Sequence, residues 1–209
     1  TLHSVEIGSL APNTLYHYQV RSADAGNYES IGDDRTFTTR NEGAWTAYHS
    51  YQGPNSLVTE LQRLATEFPE IAQLSSIGQT HQGRELWTLK ISDNVADDED
   101  EPEVLMDGGF HGEEWIGTEV ATFIAYQLVN GYGVDSDITQ SVNGSEIWII
   151  PLVNPDGRAI DSYGDGNNPS YYRGWRKNAR DNTQNGSWDS YDGVDLNRNF
   201  DLGWGVGAS

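Results

Sequence analysis

The sequence predicts an α/β sandwich over residues 48–209, because helical and strand-like patterns alternate there around apolar central strands. A helix is predicted to begin at Ser56, as its N-cap, and to end before Pro69, since its apolar side chains recur at spacings of three and four. These side chains are Leu57, Leu61, Leu64 and Phe68. The apolar run over residues 146–153 predicts a strand that is buried on both faces.

The other segments of this region alternate in the same way. Strands are predicted over residues 85–91 and 103–109, and a second amphipathic helix over residues 114–130. From residue 154 onward, frequent Gly, Asn and Asp residues predict turns. The acidic run over residues 93–103 is typical of a solvated loop. A calcium site is the alternative, although the run lacks the Gly at which an EF-hand loop turns.

The pattern of residues 1–40 predicts a partial all-β module. Tyr16 and Tyr18 alternate with polar residues, a turn is expected at residues 24–27, and a short strand ends over residues 36–39. At the first of these strands, four residues follow one another at intervals of two: Leu10, Pro12, Thr14 and Tyr16. This pattern resembles the tyrosine corner of a fibronectin type III domain.

A complete sandwich of this type takes about 100 residues, so residues 1–40 are expected to be only its C-terminal part. A plain β-hairpin is the alternative interpretation of the same residues. Residues 41–47 are polar and are predicted to be a linker.

The composition excludes several classes of partner and site. The chain has 12 basic and 32 acidic residues, for a formal net charge of −20, so it should repel nucleic acid phosphates and anionic lipid. We therefore expect no nucleic acid partner. No apolar run is long enough to predict a membrane span, and the absence of Cys excludes disulfides and thiolate metal sites. The sequence shows no signal peptide and indicates no oligomeric state.

The strongest local signal for chemistry is a His and a Glu after a predicted strand. His111 and Glu114 are three residues apart at a predicted helix start, so their side chains can face one side. An imidazole nitrogen and a carboxylate oxygen are both good ligands for Zn²⁺. The pair alone also fits a solvated helix face, so both interpretations stay open at this point.

Four motifs in a fixed order add to this pair. They are His111-Gly-Glu-Glu-Trp115, Asn154-Pro-Asp-Gly157, Trp175-Arg-Lys-Asn178 and Gly193-Val-Asp-Leu-Asn-Arg-Asn-Phe200. Residues 48–209 therefore resemble the N-terminal part of the catalytic domain of zinc metallocarboxypeptidases, the family typified by carboxypeptidase A. The resemblance implies a three-layer α/β sandwich with a mixed sheet, and a secreted enzyme that hydrolyses C-terminal residues from peptides or proteins.

The resemblance also implies a metal centre. His111 and Glu114 occupy the positions of two zinc ligands, and Asp195 that of the carboxylate which accepts the other ring N–H of the His. Asp195 in isolation would equally suit the cap of a turn. Glu113 stands where pancreatic relatives carry Arg, which leaves the preference of the neighbouring substrate subsite open.

Three further positions correspond to substrate contacts in the family. Arg176 matches the residue that polarises the scissile carbonyl and stabilises the oxyanion. Asn197 and Arg198 match the pair that binds the free α-carboxylate of the substrate, a task for which a planar guanidinium is suited. Without the family context, the two Arg residues would simply offset an acidic surface, and Asn197 would satisfy buried backbone.

The family requires more than these residues. It uses a third zinc ligand, a His, and a catalytic Glu as general base, whereas no His follows His111 and no Glu follows Glu146 in this sequence. We therefore expect residues 1–209 alone to bind zinc loosely and to be inactive, although the parent protein is expected to be an enzyme. The alternatives are a cell-wall peptide hydrolase or deacylase of the same fold, a catalytically dead extracellular binding module, and an adhesive protein with calcium-binding loops.

Overall fold

The computed structural model describes residues 15–23, 29–38, 56–163, 174–186 and 189–201. The chain divides into two compact units, Thr1–Thr46 and Ala47–Ser209. The division falls within the predicted linker, residues 41–47.

The described part of the first unit consists of short antiparallel strands. They are β1 (Leu15–Tyr18), β2 (Arg21–Ala23), β3 (Glu29–Ile31) and β4 (Arg35–Thr38). β1 pairs with β4 and β2 pairs with β3. The predicted β-structure is therefore confirmed where residues are described, while the fibronectin type III assignment stays a prediction.

The second unit is built on a four-stranded mixed sheet. Its strands are β5 (Ala72–Gln79), β6 (Glu85–Ile91), β7 (Glu103–Asp107) and β8 (Glu146–Ile150). Their order across the sheet is β5-β6-β8-β7. β6 pairs antiparallel with both β5 and β8, and β7 runs parallel to β8. The predicted α/β class and mixed sheet are confirmed.

Helices of the described region connect and cover these strands. They are α1 (Leu57–Glu67), α2 (Trp115–Gly131), α3 (Ser136–Val142) and α4 (Pro155–Tyr163). The predicted start of α1 is confirmed, because the Ser56 side chain accepts a hydrogen bond from the Thr59 backbone N–H at 3.3 Å.

The core lies between one face of the sheet and helices α1 and α2. Leu89 on β6 is paired with Ile149 on β8, and both side chains are fully buried. Leu61 and Leu64 of α1 and Ala125 of α2 belong to the same buried cluster. The leucine spacing in α1 thus predicted its buried face correctly.

The opposite face of the sheet carries a buried ion pair. Lys90 Nζ lies 2.7 Å from Glu146 Oε1, and both side chains are almost fully buried. The ammonium also lies 5.5 Å from the ring centroid of Trp148. On this face, β8 therefore contributes a buried charged residue, although most of the run over residues 146–153 is apolar.

The structure corrects several predicted element boundaries. The strand predicted over residues 146–153 ends at Ile150, and helix α4 occupies part of the segment predicted to form turns. Pro155 starts α4, and the Asn154 side chain accepts a hydrogen bond from the Gly157 backbone N–H at 2.8 Å. Proline suits the first turn of a helix and Asn suits its cap, so this polar, Gly-containing segment is helical despite its turn-like composition.

The acidic run is exposed along most of its length, as expected of a solvated loop. Three half-buried carboxylates nevertheless converge, with oxygen atoms of Asp93, Glu99 and Glu101 within 4.8 Å of one another. Burial and the neighbouring carboxylates raise the pKa of Glu101 above its ordinary value. In the described part of the chain, no helix is both long and apolar enough to cross a bilayer.

Replacing Leu89 with Ala should lower the free energy of unfolding by about 2–5 kcal/mol, because the cavity lies where the sheet meets both helices. Urea unfolding followed by circular dichroism measures the effect. Leu105 is 62% exposed, so Leu105→Ala is the control and should change stability by less than about 0.5 kcal/mol. Equal losses in the two variants would contradict this placement of the core.

Candidate active site

His111 and Glu114 lie in the turn between β7 and α2. α2 begins at Trp115, so the pair precedes the helix. The sequence had instead predicted a helix from residue 114, with the pair at its start. A backbone hydrogen bond from Glu114 N to His111 O, at 3.2 Å, closes this turn. The side chains converge because of the turn, and not because of helical periodicity.

Glycines allow the chain to make this turn in a confined space. Gly109 has a positive φ of 64°, and a Cβ atom there would lie 2.6 Å from Leu152 Cδ1 and from Thr118 Oγ1. A Cβ atom on Gly112 would lie 2.4 Å from Gly157 O. Any larger residue at either position would displace the turn that carries His111.

The imidazole of His111 lies between two carboxylates. Its Nδ1 is 2.9 Å from Glu114 Oε2, and its Nε2 is 3.2 Å from Asp195 Oδ1. The His111 side chain is 5% exposed, whereas that of Glu114 is 55% exposed. The hydrogen bond with His111 lowers the pKa of Glu114, and the charge of Arg176 contributes in the same direction. One side of the imidazole therefore faces an ionised carboxylate that is open to solvent.

Arg176 joins this group through Asp195. Its Nε donates to Asp195 Oδ2 at 2.8 Å, and its Nη1 donates to Glu114 Oε1 at 3.3 Å. The hydrogen bond with Asp195 raises the pKa of Arg176. Burial opposes ionisation of Asp195, but the bond and charge of Arg176 outweigh it and hold the pKa of Asp195 below its ordinary value. Asp195 thus bridges His111 and the guanidinium.

Asn197 and Arg198 lie in a short 3₁₀ helix, Leu196–Arg198, directly after Asp195. Asp195 caps this helix, as Asn197 N donates to Asp195 Oδ1 at 3.0 Å. Both side chains are exposed, and Arg198 Nη1 donates to the Asn197 carbonyl oxygen at 2.9 Å. Neither residue forms a hydrogen bond with His111 or Glu114 in the described structure. The exposure of Asn197 contradicts its alternative role of satisfying buried backbone.

Asn154 connects the turn that carries His111 to the segment that carries Arg176. Its buried Nδ2 donates to Phe110 O at 3.0 Å and to Lys177 O at 3.1 Å. Gly112 N also donates to Arg176 O at 3.3 Å. The sequence motif at residues 154–157 had indicated the family without indicating this contact.

Asp192 organises the loop that leads to Asp195. Its fully buried carboxylate accepts backbone hydrogen bonds from Asn182 at 2.8 Å, Thr183 at 3.1 Å and Asp189 at 3.0 Å. Burial alone would raise the pKa of Asp192, but these N–H donors outweigh it and lower that pKa.

Comparison with known proteins shows the family of the chain. Residues 57–209 match the model of the peptidase M14 family, described as zinc carboxypeptidase. The chain belongs to the zinc carboxypeptidase family. It is 41% identical over 161 residues to a zinc carboxypeptidase of Saccharothrix mutabilis subsp. capreolus, and 35% identical over 166 residues to carboxypeptidase B of Astacus astacus. These matches include 77% and 79% of this chain.

The family fold is also seen among solved structures. The crystal structure of carboxypeptidase A from Helicoverpa armigera matches 86% of this chain with a TM-score of 0.65 and 27% sequence identity, covering 45% of that chain. The present chain spans only 34% and 48% of the length of the Saccharothrix and Astacus family members.

The lowered pKa of Asp192 predicts an acid-dependent contribution to stability. The contribution is fully present above the pKa of an unfolded Asp, about 3.9, and is lost as the pH falls through the lower folded pKa. Asp192→Asn should therefore be less stable than the wild type at neutral pH, and the difference in unfolding free energy should shrink between about pH 5 and pH 2. Denaturant unfolding at a series of pH values measures it; a difference that grows on acidification would be the contrary result.

Proposed function

We propose that the protein is a zinc-dependent metallocarboxypeptidase that hydrolyses the C-terminal peptide bond of peptides or proteins. The observation that carries the proposal is the approach of His111 Nδ1 and Glu114 Oε2 to 2.9 Å, with Asp195 on the other ring nitrogen. Family membership supports the same chemistry.

The His111–Glu114 pair suits a divalent cation. A neutral imidazole carries one proton, so if Nε2–H donates to Asp195, then Nδ1 presents a lone pair toward the ionised Glu114. Two electron-pair donors so close together repel each other unless a proton or a cation lies between them. Zinc bonds to nitrogen and oxygen ligands are about 2.0–2.2 Å long, and at a tetrahedral angle two such ligand atoms would lie about 3.3–3.6 Å apart. The pair, now at 2.9 Å, would have to open by only about 0.4–0.7 Å.

Zinc bound by this pair would supply a Lewis acid and would lower the pKa of a bound water. Asp195 is placed to accept the N–H of Nε2, which would hold the imidazole in the tautomer that keeps Nδ1 available as a ligand. The family's third ligand and its general base are a His and a Glu, and the sequence from residue 147 to residue 209 contains neither residue type.

Arg176 is proposed to stabilise the oxyanion of the tetrahedral intermediate. Its guanidinium remains protonated at all working pH values, and Asp195 holds it from one side through Nε at 2.8 Å. The side chain is 36% exposed beside Glu114, so its remaining N–H groups border the space that a substrate carbonyl would enter. A preorganised donor of this kind stabilises charge that develops during the reaction.

Asn197 and Arg198 are proposed to bind the α-carboxylate of the substrate. Both are exposed on the short helix that follows Asp195. Arg198 uses Nη1 for the Asn197 carbonyl, and a guanidinium has five N–H groups with which to bind ligands. Binding of a terminal carboxylate would restrict hydrolysis to the chain end. A secreted location is part of the same proposal and rests on the family resemblance alone.

Arg198→Ala should reduce kcat/KM for a peptide with a free C-terminus by roughly 10–100-fold, because a charge-assisted bond to the carboxylate is lost. The C-terminally amidated form of the peptide should be a poor substrate for both wild type and variant. Steady-state hydrolysis of the two peptides by the intact zinc-loaded protein measures this. Preferential hydrolysis of a cell-wall peptide or an acylated substrate would instead favour one of the alternative activities.

Glu114→Gln should weaken zinc binding by at least about tenfold, since a charged ligand atom is replaced by a neutral amide. Competition against a chromogenic chelator measures the affinity. Glu113 is the matched control, because its carboxylate is 3.8 Å from Arg176 and lies outside the pair. Glu113→Gln should keep the wild-type affinity, and equal weakening in both variants would count against Glu114 as a ligand.

A further inference from the structure

A buried carboxylate outside the proposed metal centre joins the two segments that form it. Asp161 lies on α4 and is only 8% exposed. Its Oδ2 accepts a hydrogen bond from Trp115 Nε1 at 2.9 Å. Its Oδ1 accepts two backbone hydrogen bonds, from Gly174 N at 2.6 Å and from Trp175 N at 3.2 Å. Three donors from two distant parts of the sequence therefore meet on one side chain.

Each of these parts carries a residue of the candidate active site. Trp115 directly follows Glu114, and Trp175 directly precedes Arg176. The Asp161 carboxylate therefore fixes the separation between the turn with the proposed zinc ligands and the segment with the guanidinium.

The same helix holds the guanidinium segment from both sides. At the start of α4, Asn154 donates to the carbonyl oxygen of Lys177 at 3.1 Å. Two turns further along, Asp161 accepts from the N–H groups of Gly174 and Trp175. Arg176 thus lies between backbone groups that are anchored to one rigid element.

The indole of Trp115 is itself held in place. The guanidinium carbon of Arg158 lies 4.7 Å from its ring centroid, and Arg158 is one turn before Asp161 on α4. Arg158 Nη2 also donates to Thr118 Oγ1 at 3.1 Å, in the first turns of α2. The contact between Asp161 and Trp115 therefore joins two elements that already pack together.

We propose that Asp161 is a positioning residue for Arg176. It orients the backbone before Arg176 and ties it to the turn of His111 and Glu114, so that the guanidinium reaches Asp195 and the edge of Glu114 together. This inference rests on the proposed carboxypeptidase function. It adds to that function a residue that does not touch substrate or metal and acts through Arg176.

The first test is Asp161→Asn in the intact zinc-loaded protein. The amide keeps the shape of the side chain but replaces one acceptor oxygen with a donor, so at least one of the three bonds is lost. We expect kcat to fall about tenfold or more, because small displacements of a positioned group have large effects on rate. KM for a free C-terminal peptide and the bound zinc content should stay within about twofold of wild type.

The decisive test is a double-mutant cycle with Arg176→Lys. If Asp161 acts through Arg176, Asp161→Asn should have little further effect on kcat in the Arg176→Lys background. Its full effect in both backgrounds would overturn the proposal, because independent contributions multiply in rate. Calorimetric binding of a phosphonate peptide analogue gives a second readout, with an expected loss of about tenfold for Asp161→Asn and none in addition to Arg176→Lys.

Glu146→Gln is the matched control for loss of a buried carboxylate. Glu146 lies at the start of β8, at the opposite end of the sheet from the turn that follows β7. We expect a lowered Tm with unchanged kcat. If Asp161→Asn fails to fold, Trp115→Phe removes the indole donor while keeping a smaller aromatic ring beside Arg158. It should lower kcat in the same direction, and unchanged kcat in this variant would count against the proposal.

The outcomes separate this inference from the function on which it rests. A wild-type parent protein without peptidase activity overturns the proposed function and with it this role of Asp161. An active parent protein whose kcat is unchanged by Arg176→Lys overturns the role of Arg176, and therefore that of Asp161, but leaves the peptidase function standing. An active enzyme that depends on Arg176, but in which the two substitutions act independently, overturns the role of Asp161 alone.

Discussion

The placement of one imidazole between two carboxylates is the constraint on which the rest of the site depends. Asp195 approaches Nε2 of His111, and Glu114 approaches Nδ1. Carboxylates on both ring nitrogens fix the orientation of the ring. In the proposed function, Asp195 accepts the N–H of Nε2 and Nδ1 is left for a metal ion. Asp195 also receives the guanidinium of Arg176, and the same carboxylate therefore fixes both an electron-pair donor and a positive charge.

Backbone packing explains how residues so far apart in sequence reach this arrangement. The turn after β7 is made of glycines that allow other backbone segments to approach closely, and α4 offers side chains to both sides of the Arg176 segment. The sheet, the turn after β7 and helix α4 therefore each hold one part of the site in place. Glu114 and Arg176 form an ion pair at 3.3 Å, and their side chains remain 55% and 36% exposed.

The sequence predicted those features that depend on local periodicity. The leucine spacing of α1, its Ser56 cap and the bounds of β6 match the structure, because each arises from residues that are close together in the chain. Family motifs predicted that His111, Glu114, Arg176 and Asp195 belong together, and the structure brings these four into contact. Asn197 and Arg198 are exposed, and their predicted role in binding the substrate carboxylate stays a prediction.

The features that sequence reasoning missed are those decided by tertiary contacts. α4 is short, polar and contains Gly157, so its composition is that of a turn, and only its packing and its Asn154 bond reveal a helix. Asp161 belongs to no motif, and its partners lie 46, 13 and 14 residues away. Gly112 meets the backbone of Gly157 and of Trp175 without space for a side chain. The turn with His111 and Glu114, the start of α4 and the segment with Arg176 should therefore unfold locally in one cooperative fluctuation. Release of a bound metal ion and disordering of the guanidinium would then be a single inactivation event.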